Sequence, residues 1–150
     1  MSPARRVISK QLGDLLMERG LITKENLDKA LKIQKEKGGL LGDILVSLGF
    51  TTEEQIAQAI TVQYGFPYLP LGSYEIETRI IDIIPENVAR QYCLIGIDKI
   101  GDTLTIAMAN PLNLQAIEDI EMISASQVQI FVSTTTDIKN AIDKYYRKKK

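Results

Sequence analysis

The chain has no histidine and no tryptophan, and Cys93 is its only cysteine among 150 residues. Without histidine there is no Ser-His-Asp triad, no imidazole metal site and none of the commonest general base at neutral pH. One cysteine makes neither an intrachain disulfide nor a thiolate zinc site. Cys93 lies in the apolar run Tyr92, Cys93, Leu94, Ile95 and is expected to be buried as a small hydrophobe rather than to act as a nucleophile. No apolar run is long enough to cross a bilayer, and the first ten residues lack a secretory segment. The expectation is a cytoplasmic chain without a transmembrane segment.

An excess of one charge is missing too. Eighteen Lys and Arg against nineteen Asp and Glu leave a net charge of -1, too little to attract nucleic acid, which is not expected as a partner. The basic residues cluster only at the ends, as Arg5 and Arg6 and as Arg147 to Lys150, and read as solvated tails. Glu25, Asp28, Glu53 and Glu54 fall at solvent-type helix positions, and no carboxylate pair stands out as acid and base. The glycine-bearing stretch Gly42 to Gly49 lacks the lysine of a phosphate loop. No catalytic residue, metal ligand or cofactor is therefore expected, and the chain is read as a non-enzyme.

What is present is a tandem repeat. A shift of 29 residues lays Leu12-Gly13-Asp14 over Leu41-Gly42-Asp43, Leu16 over Leu45, Gly20 over Gly49, Thr23 over Thr52, Glu25 over Glu54, and Gln34 over Gln63. Leu27/Ile56 and Leu31/Ile60 exchange conservatively, and Lys35 to Gly39 form a five-residue spacer. Each copy reads as helix, turn, helix. The first helix, over about 10 to 19, stops at Gly20, a residue that accepts a left-handed cap. The second starts after Thr23, whose hydroxyl can cap backbone amides. In copy two, Thr51 to Glu54 and Thr52 to Gln55 both fit a capping box, of which one can be used. Leu27, Leu31 and Gln34 share a face, as do Ile56, Ile60 and Gln63. A glycine early in a helix costs roughly 1 kcal/mol against alanine, so Gly13 and Gly42 suggest a close backbone approach.

The second half is punctuated by Tyr64-Gly65-Phe66-Pro67-Tyr68-Leu69-Pro70-Leu71-Gly72, a short linker or an extended edge segment. A short helix is expected over 85 to 91, a hairpin from Cys93 to Asp98 and Thr103 to Ala107, and an amphipathic helix from Asn113 to Ile123. A strand over Val128 to Val132 and a helix from the Ser133 to Asp137 cluster to Tyr146 complete it. The fold class is α+β, a helical-hairpin repeat followed by a small unit with a short, mainly antiparallel three-stranded sheet. The expected divisions are 1–64 for the repeat, 65–73 for a linker, 74–146 for the α+β unit and 147–150 for the basic tail. Nothing in the second half is expected to carry chemistry, though its exposed faces could dock a partner.

The spacing of Leu12, Gly13, Leu16, Met17, Gly20, Leu21, Ile22, Leu27, Leu31 and Gln34, and of Leu41, Gly42, Leu45, Val46, Gly49, Phe50, Ile56, Ile60 and Gln63, resembles a known double motif. The family is the MshEN-type N-terminal domain of type II secretion and type IV pilus assembly ATPases. Ile84-Pro85-Glu86, Ala107 to Pro111 and Ala141 to Tyr146 are similar to the same family's pattern. The resemblance implies a non-catalytic regulatory or docking domain with a candidate cyclic di-GMP site along the repeat. The residues implied are Gln11, Leu12, Gly13, Leu27, Leu31, Gln34, Leu41, Gly42, Ile56, Ile60 and Gln63. It also implies, as partners, an ATPase core domain in cis or trans and an inner-membrane assembly protein. The family's arginine is replaced by Gln11 and Leu40, and Thr51 stands for a usual aliphatic. Lys10 and the Arg5/Arg6 pair are the nearby cations available to substitute. The alternative is a pure protein-interaction module that docks the ATPase without binding a nucleotide.

Overall fold

The structure, a computed structural model, describes residues 11–147; Arg5, Arg6, Lys10 and residues 148–150 lie outside the described residues. The repeat forms α1 (Leu12–Glu18), α2 (Lys24–Lys37), α3 (Leu41–Ser47) and α4 (Glu53–Tyr64). Its two short helices end alike. Gly20 and Gly49 take φ of 72° and 80°, and the next amides, of Leu21 and Phe50, donate to the carbonyls of Leu16 and Leu45 at 3.0 Å. Both long helices open with a capping box, Thr23 with Asn26 and Thr52 with Gln55. Of the two options in copy two, Thr52 is therefore the cap. Thr51 is buried and donates its hydroxyl to Gln55 Oε1 at 3.0 Å. Leu15, Leu16, Leu45 and Ile60 are fully buried, each contributing about 2 kcal/mol by removal from water.

After α4 the chain runs extended beside the sheet. The Leu69 amide donates to the Val132 carbonyl at 2.9 Å and the Val132 amide to the Pro67 carbonyl at 2.8 Å, with Tyr68 bridged in parallel to Val132. The segment is thus the extended edge that the sequence allowed, and it ends in a single 3-10 turn, Leu71–Ser73, that buries Leu71. The helices α5 (Thr78–Ile81) and α6 (Glu86–Tyr92) lead into β1 (Leu94–Ile100), β2 (Thr103–Met108), α7 (Leu114–Ser124), β3 (Gln127–Val132) and α8 (Thr135–Arg147). Helix α5 was not expected, being too short to show a period in the sequence.

The sheet order is β1-β2-β3. The expected hairpin of β1 and β2 turns at Gly101, with φ of 58°, and β1 is bulged at Ile97, between the pairs Gly96/Ile106 and Asp98/Thr105. The second pairing is parallel, so the sheet is mixed where a mainly antiparallel one was expected. Helix α7 accounts for the difference, because it carries the chain back past β2 and lets β3 enter in the same direction. Helix α8 ties down the loops before the sheet. The Tyr146 hydroxyl donates to the Ile84 carbonyl at 2.6 Å, and the Tyr145 hydroxyl joins the Ile76 amide to the Tyr74 carbonyl, each at 3.1 Å. The whole is an α+β fold, and among the described residues no helix is long and apolar enough to cross a membrane.

Candidate functional site

The parallel strands β2 and β3 bring their C-terminal ends to one side of the sheet, where the loops that follow face the repeat. Between them lies a cavity of about 460 Å³, within the size range of small-molecule sites. Copy one contributes Gln11, Leu12, Leu31 and Gln34, and copy two contributes Leu40 to Asp43, Glu53, Ile56 and Ala57. The other wall comes from Tyr92, from Ala109, Asn110 and Leu112 to Gln115, and from Ser133 to Thr135.

Local chemistry explains these placements. Gln11 and Leu40 are the N-cap residues of α1 and α3, and neither side chain caps its helix, which leaves both available to the cavity. The Leu31 side chain remains 42% exposed there, whereas Ile60, its counterpart in copy two, is fully buried. Gln34 donates through Nε2 to the Gly39 carbonyl at 3.0 Å, which closes the spacer and leaves Oε1 uncommitted among the described residues. On the opposite wall, Asn110 Oδ1 accepts from the Leu112 amide at 3.1 Å, and Asn113 Oδ1 caps α7 by accepting from the Ala116 amide at 3.2 Å. Each amide is fixed at its oxygen and offers its nitrogen, so both are oriented donors.

Of the eleven residues expected in a ligand site, seven line this cavity: Gln11, Leu12, Leu31, Gln34, Leu41, Gly42 and Ile56. Four do not. Gly13, Leu27 and Ile60 are buried away from it, and Gln63 is exposed outside it. The glycines differ in their neighbours. A β-carbon on Gly13 would stand 2.7 Å from Leu27 Cδ1, whereas one on Gly42 would find Leu12 and Ile56 at 3.5 and 3.6 Å. Sequence reasoning missed the entire second wall. The Asn110-Pro111 pair was the one visible signal, in a stretch noted for its resemblance and given no role.

The cavity carries two carboxylates, Asp43 and Glu53, and no lysine or arginine lines it among the described residues. Both acids bond across to α8. The Thr136 amide and hydroxyl donate to the two oxygens of Glu53 at 2.5 and 2.7 Å, and Lys139 pairs with Asp43 at 3.2 Å. These bonds join the repeat to the second half at the cavity's border. Cys93 is inert by comparison: burial pushes its thiol up to about 12, so it stays protonated. Among the described residues no cluster of metal-ligating side chains occurs.

The MshEN domain model matches residues 64–150. This chain belongs to the MshEN domain family. A structure of MshE with cdg shares 33% identity and a TM-score of 0.68, over 92% of this chain and all of that one, so the likeness extends into the repeat. The N-terminal domain of XpsE, at 19% identity and a TM-score of 0.72 over 91% of this chain and 99% of that one, has the same fold. The type IV pilus assembly ATPase PilB of Myxococcus xanthus (strain DK1622) is 30% identical over 95% of this chain. That of Thermus thermophilus is 31% identical over 91%. The chain spans 25% and 16% of the length of these two relatives. The MshEN domain is a non-catalytic part of such ATPases.

Proposed function

We propose that the chain is the N-terminal regulatory domain of a type IV pilus or type II secretion ATPase, and that its cavity takes cyclic di-GMP. One observation carries this: six residues of a doubled sequence motif, drawn from both copies, line a single cavity of about 460 Å³, together with Gln11 and Leu40 at the positions where the motif has arginine. Leucines supply apolar floors for a purine, Gly42 lets backbone come close, and the amides of Gln11, Gln34, Asn110 and Asn113 suit a base edge. A relative solved with cdg supports the same reading.

Titration calorimetry of the purified chain with cyclic di-GMP is expected to show saturable binding, weakened by Gln34→Ala and by Leu31→Ala. Absence of heat, together with absence of a thermal shift at large ligand excess, would remove the ligand.

A second reading has its own observation. The cavity holds two carboxylates and no described cation to meet phosphates, which favours a domain that docks an ATPase onto an inner-membrane assembly protein without any nucleotide. Helix α7 exposes Met122 (81%) and Ile123 (44%), an apolar surface suited to such contact. Capture of secretion or pilus membrane components that is abolished by Met122→Glu and indifferent to cyclic di-GMP would favour this reading.

A further inference from the structure

The two walls of the cavity are chemically unequal. The repeat presents aliphatic side chains, whereas the wall from the second half carries Tyr92, the one aromatic residue lining the cavity among the described residues. Tyr92 is the last residue of α6, and the residue after it, Cys93, takes a left-handed backbone with φ of 54°. A non-glycine residue in that region is uncommon and is held by its surroundings. Here the Cys93 side chain is buried and its carbonyl accepts from the Ala109 amide at 3.2 Å. The sharp turn starts β1 at Leu94 and leaves Tyr92 at the corner, half-buried, beside the loop that follows β2.

The far end of the ring is held as well. The Tyr92 hydroxyl donates to Asp119 Oδ2 on α7, and the other oxygen of Asp119 accepts from Gln115 Nε2 at 2.8 Å. The bond to Asp119 raises the phenol above its ordinary value, which keeps it protonated and donating at neutral pH. A ring fixed at its Cα by a helix end and at its hydroxyl by a carboxylate has little rotational freedom left to lose when something packs on it. A free tyrosine would lose that freedom on binding.

We infer that Tyr92 is the stacking platform for a planar heterocyclic base in this cavity, with Asp119 and Gln115 as positioning residues that hold its ring. The inference rests on the ligand reading above and extends it to residues that lie outside the doubled motif. Aromatic stacking tolerates any base, so it supplies affinity, while the oriented amides of Asn110 and Asn113 and the free Oε1 of Gln34 supply choice among bases. Asp119 does not meet the ligand; it acts through the hydroxyl it receives. The site is then completed by the second half of the chain, and the repeat by itself holds one wall of it.

The test uses the whole chain and cyclic di-GMP. Tyr92→Leu is expected to weaken binding about tenfold or more, the scale of losing one base stack. Tyr92→Phe keeps the ring and frees it, so a smaller loss of a few-fold is expected, and Asp119→Ala, which removes the acceptor of the phenol, should match it. A readout insensitive to folding accompanies these values. With 3-fluorotyrosine incorporated, the fluorine resonance missing in Tyr92→Phe identifies Tyr92, and that resonance should move on ligand addition. If the wild-type chain binds and Tyr92→Leu binds equally well, or the Tyr92 resonance stays in place at saturation, the inference fails while the ligand reading stands. If Tyr92→Leu does not fold, the Tyr92→Phe affinity and the resonance decide. If the wild-type chain binds neither cyclic di-GMP nor GMP, both fail together.

Discussion

Gly13 and Leu27 meet so closely that a methyl group on Gly13 would stand 2.7 Å from Leu27 Cδ1, while the equivalent pair in copy two, Gly42 and Ile56, leaves 3.6 Å. The two glycines of one repeated motif therefore answer to different constraints. Gly13→Ala must displace a buried leucine and is expected to destabilise the chain by about 1 kcal/mol. Gly42→Ala meets ordinary van der Waals contacts and should gain up to about 1 kcal/mol from helix propensity. Because Gly42 lines the cavity, the same change should weaken cyclic di-GMP binding. Thermal melts paired with calorimetry would separate the two effects, and undiminished binding by Gly42→Ala would show that its bare backbone is not used.

Gln11 and Leu40 occupy the N-cap positions of α1 and α3, point-matched in the two copies, and both line the cavity. Gln11→Arg or Leu40→Arg would add a planar cation beside Asp43 and Glu53. If phosphates enter here, either change should tighten cyclic di-GMP binding about tenfold, the equivalent of one charge-assisted hydrogen bond. Unchanged affinity in both variants would argue that phosphates lie elsewhere.

Glu53 holds the first turn of α8 through the Thr136 amide and hydroxyl. Glu53→Ala removes both acceptors and should lower stability by about 1 kcal/mol, a value reduced from that of a buried charged bond because the site is part-exposed. Glu53→Gln, which retains one acceptor, is expected to fall between. Urea unfolding would measure both. A loss no larger than that of Glu54→Ala, whose side chain is exposed, would show that this link adds nothing.

Alkaline pH should weaken the fold in a defined window. Burial lifts the Cys93 thiol from 9.0 to about 12 and the Tyr146 phenol from 10.0 to about 12. Both groups keep their protons in the folded chain where the unfolded chain has released them. Their contribution is therefore intact below pH 9, declines as the unfolded thiol and then the unfolded phenol ionise, and is lost by about pH 12. Cys93→Ala should flatten the early part of this decline. Urea midpoints compared at about pH 8 and about pH 10.5 would detect it; equal declines in the two proteins would contradict the assignment.

The repeat was legible because its boundaries are local chemistry. Gly20 and Gly49 stop the short helices, Thr23 and Thr52 start the long ones, and each decision lies within five residues of chain. The cavity was legible on one wall for the same reason. Its other wall assembles only in the sheet: the pairing of Leu94 with Met108 brings Tyr92 beside the loop to Asn113, and the parallel pairing of β3 adds Thr134, all from segments with no common pattern. Equivalence in sequence also failed to imply equivalence in place. Leu31 and Ile60 share a motif position, yet one faces the cavity and the other is fully buried on α4, the helix of copy two that packs against β3.

The extended segment from Pro67 to Leu69 ends lateral growth of the sheet. An outer strand with free amides invites another chain to pair with it and propagate into an aggregate. Beside β3 that position is taken by a segment that spends its Leu69 amide on Val132 and is bounded by Pro67 and Pro70, which have no amide hydrogen to offer. A newcomer arriving at this side finds few donors. At high local concentration, where many copies would crowd together, that edge is a terminus rather than a template.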